Sequence, residues 1–145
     1  MGQITELLTR EHRRCDAELA RCEEEAAAER WACADAAFAA FAAQTERHFE
    51  AEESVLFPRF EVASGMASGP TAVMREEHGE MRGLLDGMRR ALAARDRDGF
   101  LDCCETMLLM LQQHNLKEEE ILYPMTDQAL GADADTFARG LGATG

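Results

Sequence analysis

Residues 48–58 read His48-x-x-x-Glu52-Glu53-x-Val55-Leu56-Phe57-Pro58, and the same frame returns 66 positions later as His114-x-x-x-Glu118-Glu119-x-Ile121-Leu122-Tyr123-Pro124. Residues four apart share one face of a helix, one turn above the other, so each copy aims an imidazole and a carboxylate in the same direction. Converging imidazoles and carboxylates are ligands for hard-to-borderline metal ions. The other two histidines follow the same offset. His12 and His78 are also 66 apart, each lies 36 residues before its partner, and each follows a glutamate, Glu11 or Glu77. All four histidines of the chain therefore fall into a two-fold internal repeat.

Positioning these groups needs helices. Alanine, leucine, glutamate and arginine dominate, and only three prolines occur, which reads as all-α. The spacing predicts helices over about 4–29, 33–60, 70–94 and 99–123. Their inward stripes, in steps of three and four, are Leu8, His12, Cys15, Leu19, Cys22; Phe38, Phe41, Thr45, His48, Glu52, Val55; Met74, His78, Met81, Leu85, Met88, Leu92; and Phe100, Cys104, Met107, Leu111, His114, Glu118, Ile121. The loop 64–70 separates the repeats, with Pro70 at the head of the third helix. Asp98 is a candidate N-cap of the fourth helix. Pro58 and Pro124 should kink or stop their helices. Gly79, Gly83 and Gly87, spaced by four, form a smooth strip that another backbone could approach. Two look-alike helix pairs imply a four-helix bundle whose antiparallel neighbours bring the polar layers to one level. Residues 1–126 form this bundle, and 127–145 are expected to be a tail with at most a short helix after Asp135.

His12, His48, Glu52, His78, His114 and Glu118 stand on the stripes where leucine would be expected. Burying an unpaired carboxylate costs several kcal/mol at least. Two of them with four imidazoles in one core need compensation, and a dinuclear metal centre supplies it. Four histidines give two terminal ligands per metal, and Glu52 and Glu118 can bridge. An added oxo, hydroxo or water bridge makes five ligands each and leaves one position per metal open, the mark of a reactive site.

Glu53 and Glu119 lie about 100° round the helix from Glu52 and Glu118 and are read, with Glu11 and Glu77, as supporting or surface groups. Asp16 follows His12 at the ligand spacing, but its counterpart in the repeat is Arg82, so it is not read as a ligand. The methionines have core spacing, and Phe57 and Tyr123 are expected to pack near the end of the bundle.

A net charge of −13 argues against nucleic acid and an anionic membrane surface as partners. No apolar run is long enough to span a membrane, and no secretory segment is expected. The five cysteines show no C-x-x-C spacing and read as free thiols in a reducing, cytoplasmic setting.

The two His-x-x-x-Glu-Glu copies with their Leu-Phe-Pro and Leu-Tyr-Pro endings, together with Glu11-His12 and Glu77-His78, resemble the hemerythrin-like, or HHE cation-binding, family over about residues 1–126. The resemblance implies an up-down-up-down antiparallel four-helix bundle around two iron ions joined by an oxo or hydroxo bridge. It implies His12, His48, His78 and His114 as terminal ligands and Glu52 and Glu118 as bridges. Ferritin-type proteins fit less well, since they place Glu before His at i+3. The oxygen carriers of the family have a fifth histidine, arranged His-x-x-x-His on the third helix. Here the positions four before and four after His78 are Met74 and Arg82, which argues against simple reversible oxygen carriage. The expected function is binding of, or reaction with, oxygen, peroxide or nitric oxide. An iron storage or sensing module without turnover and a reversible oxygen carrier are the alternatives, and whether the protein is an enzyme stays open, as does any protein partner.

Overall fold

The structure, a computed structural model, describes residues 2–144. Four long helical rods account for most of the chain. The first is α1 (Gln3–Ala27). The second runs without a break from α2 (Trp31–Ala51) through a π-helical turn (Glu52–Leu56) into α3 (Phe57–Ser64). The third is α4 (Pro70–Ala93). The fourth joins α5 (Arg97–Lys117) through a second π turn (Glu118–Leu122) to α6 (Tyr123–Leu130). A 3-10 turn (Gly131–Asp133) leads into α7 (Ala134–Thr144). The rods form the expected up-down-up-down bundle, with α1 against α2 and α5, and α4 against α5 and α2.

Local chemistry sets the ends. The α1–α2 turn passes through Glu29 at φ 56° and the α4–α5 turn through Arg95 at φ 54°, left-handed residues that reverse the chain in a few positions. Asp96, rather than Asp98, caps α5 by accepting from the Gly99 backbone N–H at 3.0 Å. Gly65, at φ 73°, closes α3 in the conformation that glycine adopts without steric cost.

Pro58 and Pro124 neither stop nor break their rods. Each stands in the first turn after a π turn, in which the Phe57 N–H reaches the Glu52 carbonyl and the Tyr123 N–H the Glu118 carbonyl. The wider turn absorbs the proline, which has no N–H to give. It also shifts the helix phase. Val55 and Ile121, expected to face inward, are 40% and 53% exposed, and Leu56 and Leu122 are buried in their place.

The remaining stripe residues are buried as expected, in two apolar clusters on either side of the polar layer. One holds Leu19, Phe41, Met81, Met88, Phe100 and Met107. The other holds Ile4, Leu56, Phe57, Phe60, Leu122 and Tyr123, and includes Ala134, Ala138 and Leu141 of α7, which packs on α1. Among the described residues no backbone comes close to the glycine strip of α4. A side chain added at Gly79 or Gly83 would meet nothing within 4 Å, and at Gly87 its nearest neighbour would be Cys103 Sγ at 3.8 Å.

Candidate metal centre

All six residues predicted from the repeat meet in the polar layer between the two apolar clusters. Each is buried, with exposures from 0% to 5%. α1 supplies His12, α2 His48, α4 His78 and α5 His114, while Glu52 and Glu118 each open a π turn. Their ligand atoms form two groups that share both carboxylates: His12, His48, Glu52 and Glu118, and Glu52, His78, His114 and Glu118. Glu52 Oε1 lies 3.5 Å from His48 Nε2 and 3.1 Å from His78 Nε2. Glu118 Oε1 lies 3.1 Å from His12 Nε2 and 3.3 Å from His114 Nε2. Each glutamate thus touches one histidine of either group.

The far nitrogen of every ring is held by a carboxylate. His12 Nδ1 donates to Glu119 at 2.7 Å and His78 Nδ1 to Glu53 at 2.7 Å. His48 Nδ1 donates to Glu11 at 2.8 Å and His114 Nδ1 to Glu77 at 2.8 Å. The four supporting glutamates are repeat partners, so the network has the pseudo-two-fold symmetry of the sequence. A carboxylate on Nδ1 sets the tautomer, orients the ring and leaves the Nε2 lone pair for a metal. Glu53 is in turn bound by Arg82, and Glu77 by Lys117. Asp16 stands outside both donor groups. Met74 packs in the apolar cluster, and Arg82 turns out to Glu53 and Glu46.

Electrostatics leave this cluster short of positive charge. Burial would lower the His12 pKa, but hydrogen bonds to Glu118 and Glu119 outweigh it and carry it to about 10. His114, likewise lowered by burial and raised by Glu118, reaches about 9. Burial, then repulsion from Glu118, raises Glu52. Glu118 also suffers burial, but its hydrogen bond with Glu52 and the His114 ring hold it well below the usual carboxylate range. In the cation-free protein, protons thus supply the charge that the two carboxylates demand.

A metal ion fits the same place. Glu52 Oε1, His78 Nε2, His114 Nε2 and Glu118 Oε2 are buried without a well-aligned hydrogen bond, although Glu52 Oε1 and His78 Nε2 lie 3.1 Å apart, a costly condition that coordination would relieve. The His12 and His48 Nε2 atoms are 3.1 Å apart. Two ligands at right angles on bonds of about 2.1 Å would be about 3.0 Å apart.

The family comparison agrees with this geometry: residues 3–126 match the model of the hemerythrin HHE cation-binding domain. The chain belongs to the hemerythrin HHE cation-binding family. No curated protein and no solved structure gives a significant match. Family membership and the buried histidine–glutamate cluster together make this hemerythrin-type bundle a cation-binding domain.

One group in the centre escaped the sequence reading. Tyr123 packs at the bundle end as expected, but its hydroxyl reaches into the polar layer. It donates to Glu52 Oε2 at 2.6 Å, with Glu118 Oε1 2.9 Å away. His12 Nε2 is 3.0 Å and His48 Nε2 3.4 Å distant. Burial and the charges of Glu118 and Glu52 push this phenol well above its ordinary pKa. On an α-helix Tyr123 would lie about 140° round from Glu118. The π turn, with its i to i+5 bond, brings it back over the same face. Pro124, a proline inside a rod that continues, was the available signal.

Proposed function

We propose that this protein is a non-haem di-iron protein that binds or reacts with oxygen, peroxide or nitric oxide. His12, His48, His78 and His114 would be the terminal ligands, Glu52 and Glu118 the bridges, and an oxo or hydroxo group would complete the pair. The observation that carries this reading is the sharing of Glu52 and Glu118 by two histidine pairs, each ring braced by its own carboxylate. Two irons, when bound, supply a change of oxidation state and coordination positions for a small ligand.

The chain's residues supply the rest. Glu11, Glu53, Glu77 and Glu119 hold the four rings in one tautomer. Phe49 stacks on His78 with ring centroids 4.0 Å apart, which fixes the ring plane and keeps water from it. The apolar clusters on both sides lower the local dielectric and strengthen each electrostatic contact within. Residues 1–126 form the functional unit in this reading, and the segment after it carries no ligand. Among the described residues no helix is long and apolar enough to cross a membrane. We place the protein in the cytoplasm because its five cysteines are free.

Elemental analysis of protein expressed with iron available, joined to an optical spectrum, tests the proposal. Two irons per chain are expected, with loss of thermal stability on chelation, because binding energy at such a site is folding energy. One metal per chain, or zinc alone under those conditions, would reject the di-iron reading.

A further inference from the structure

The two halves of the repeat place aromatic rings alike but differ in one atom. Phe57 stacks on His78 with centroids 5.7 Å apart and 24° between planes. Tyr123, its counterpart 66 positions on, stacks on His12 at 5.6 Å and 29°. One ring ends in C–H and the other in O–H. The Tyr123 hydroxyl lies between 2.6 and 3.4 Å from atoms of His12, His48, Glu52 and Glu118, all four members of one donor group. The other group is faced by Phe49 and Phe57, which have no atom to offer.

We propose that Tyr123 is a fifth protein ligand, through its phenol oxygen, to the metal held by His12 and His48. The metal held by His78 and His114 has no such ligand and is the one left for exogenous molecules. This assignment rests on the two-metal reading above. On binding, the phenol would give up to solvent the proton that it now donates to Glu52, since metal binding to a ligand that must deprotonate releases a proton. It then offers an anionic oxygen, the kind of donor tyrosine also provides to haem iron.

The surrounding charges divide the centre in the same way. Glu53, which holds His78, is paired with Arg82 at 2.8 and 3.1 Å, and Glu77, which holds His114, is paired with Lys117. Among the described residues no lysine or arginine forms an ion pair with Glu11 or Glu119, which hold His48 and His12. A carboxylate free of a counter-cation makes its imidazole the stronger donor. The half that contains Tyr123 is therefore also the more electron-rich half, and a symmetric repeat carries an unequal pair of sites.

Tyr123 is the only tyrosine in the chain, so a tyrosinate signal has one source. The full chain is loaded with ferrous iron under nitrogen and exposed to air. Visible absorption and resonance Raman spectra are then recorded. The expected result is a tyrosinate-to-iron charge-transfer band whose enhanced ring modes shift when the protein is grown on ring-deuterated tyrosine. Tyr123→Phe should lose both band and modes in whatever iron it retains. Should that variant fail to fold, the isotope shift in the unmodified protein decides by itself. Two irons bound without tyrosinate modes would overturn the ligand assignment and leave the two-metal reading standing, whereas failure to bind two metals would overturn both.

Discussion

The Nε2 atoms of His12 and His48 lie 3.1 Å apart, although each ring already gives its Nδ1–H to a carboxylate. Two neutral rings so braced would point two lone pairs at each other. A positive charge beside them relieves the repulsion, as a proton on His12, whose pKa is carried to about 10, would do, and as a bound cation would do. The centre is therefore organised by its braces as much as by its ligands.

That relationship predicts the effect of removing a brace. Glu52→Ala and Glu118→Ala should abolish the proposed two-metal centre. Glu119→Ala frees His12 Nδ1 but removes no ligand, so it should keep the metal stoichiometry and weaken affinity by about 10–100-fold. Competition with a chelator of known affinity measures this, and an unchanged affinity would show that the 2.7 Å bond to His12 plays no part in binding.

Asp127 ties the fourth rod to the start of the first. Its carboxylate accepts from the backbone N–H of Ile4 at 3.0 Å and of Thr5 at 3.1 Å, and from the Thr5 hydroxyl at 2.6 Å. It fills the space that a side chain at Gly2 would need. Asp127→Ala leaves the first turn of α1 without its cap and should cost about 1–2 kcal/mol, read as a lower urea midpoint at unchanged slope.

Removing residues from Ala132 onward should leave the metal in place, because all six proposed ligands precede that point. Stability should nonetheless fall. α7 buries Leu141 with Ala134 and Ala138 beside Ile4 and Leu8, and losing the leucine alone forfeits about 1.5–3 kcal/mol. Thermal melts with parallel metal analysis separate the two effects.

The open surroundings of Gly79 and Gly83 make them sites of easy stabilisation. Gly79→Ala or Gly83→Ala should raise stability by up to about 1 kcal/mol, through helix propensity and a less flexible unfolded chain. A decrease in either variant would mean that the α4 surface is covered by a partner or a second copy.

Thiol reactivity should follow burial. Burial, with the nearby Glu18 charge, pushes Cys22 up to about 12 and Cys15 to about 12, and burial also raises Cys104. A raised pKa keeps these thiols protonated through mildly alkaline pH, and the thiolate is the nucleophile. A thiolate-directed reagent at about pH 8 should therefore modify exposed Cys33 first and reach Cys15, Cys22 and Cys104 only after unfolding.

Sequence alone determined the four rods, their inward stripes up to the π turns, and the six residues that meet in the polar layer. These features depend on spacing within one helix and on a repeat, and both are local enough to read along the chain. The Nδ1 braces were decided only by tertiary structure. Glu11 reaches His48 across 37 positions and Glu119 reaches His12 across 107, contacts set by which rods are neighbours. The place of the Tyr123 hydroxyl was also decided there. A 3.6-residue period carried past Glu118 puts Ile121 inside and Tyr123 off the site. The π turn resets that phase, burying Leu122 and swinging the phenol over Glu118. α7 likewise gains its place by docking on α1, since a short helix with little of its own stability is held by the apolar surface it covers.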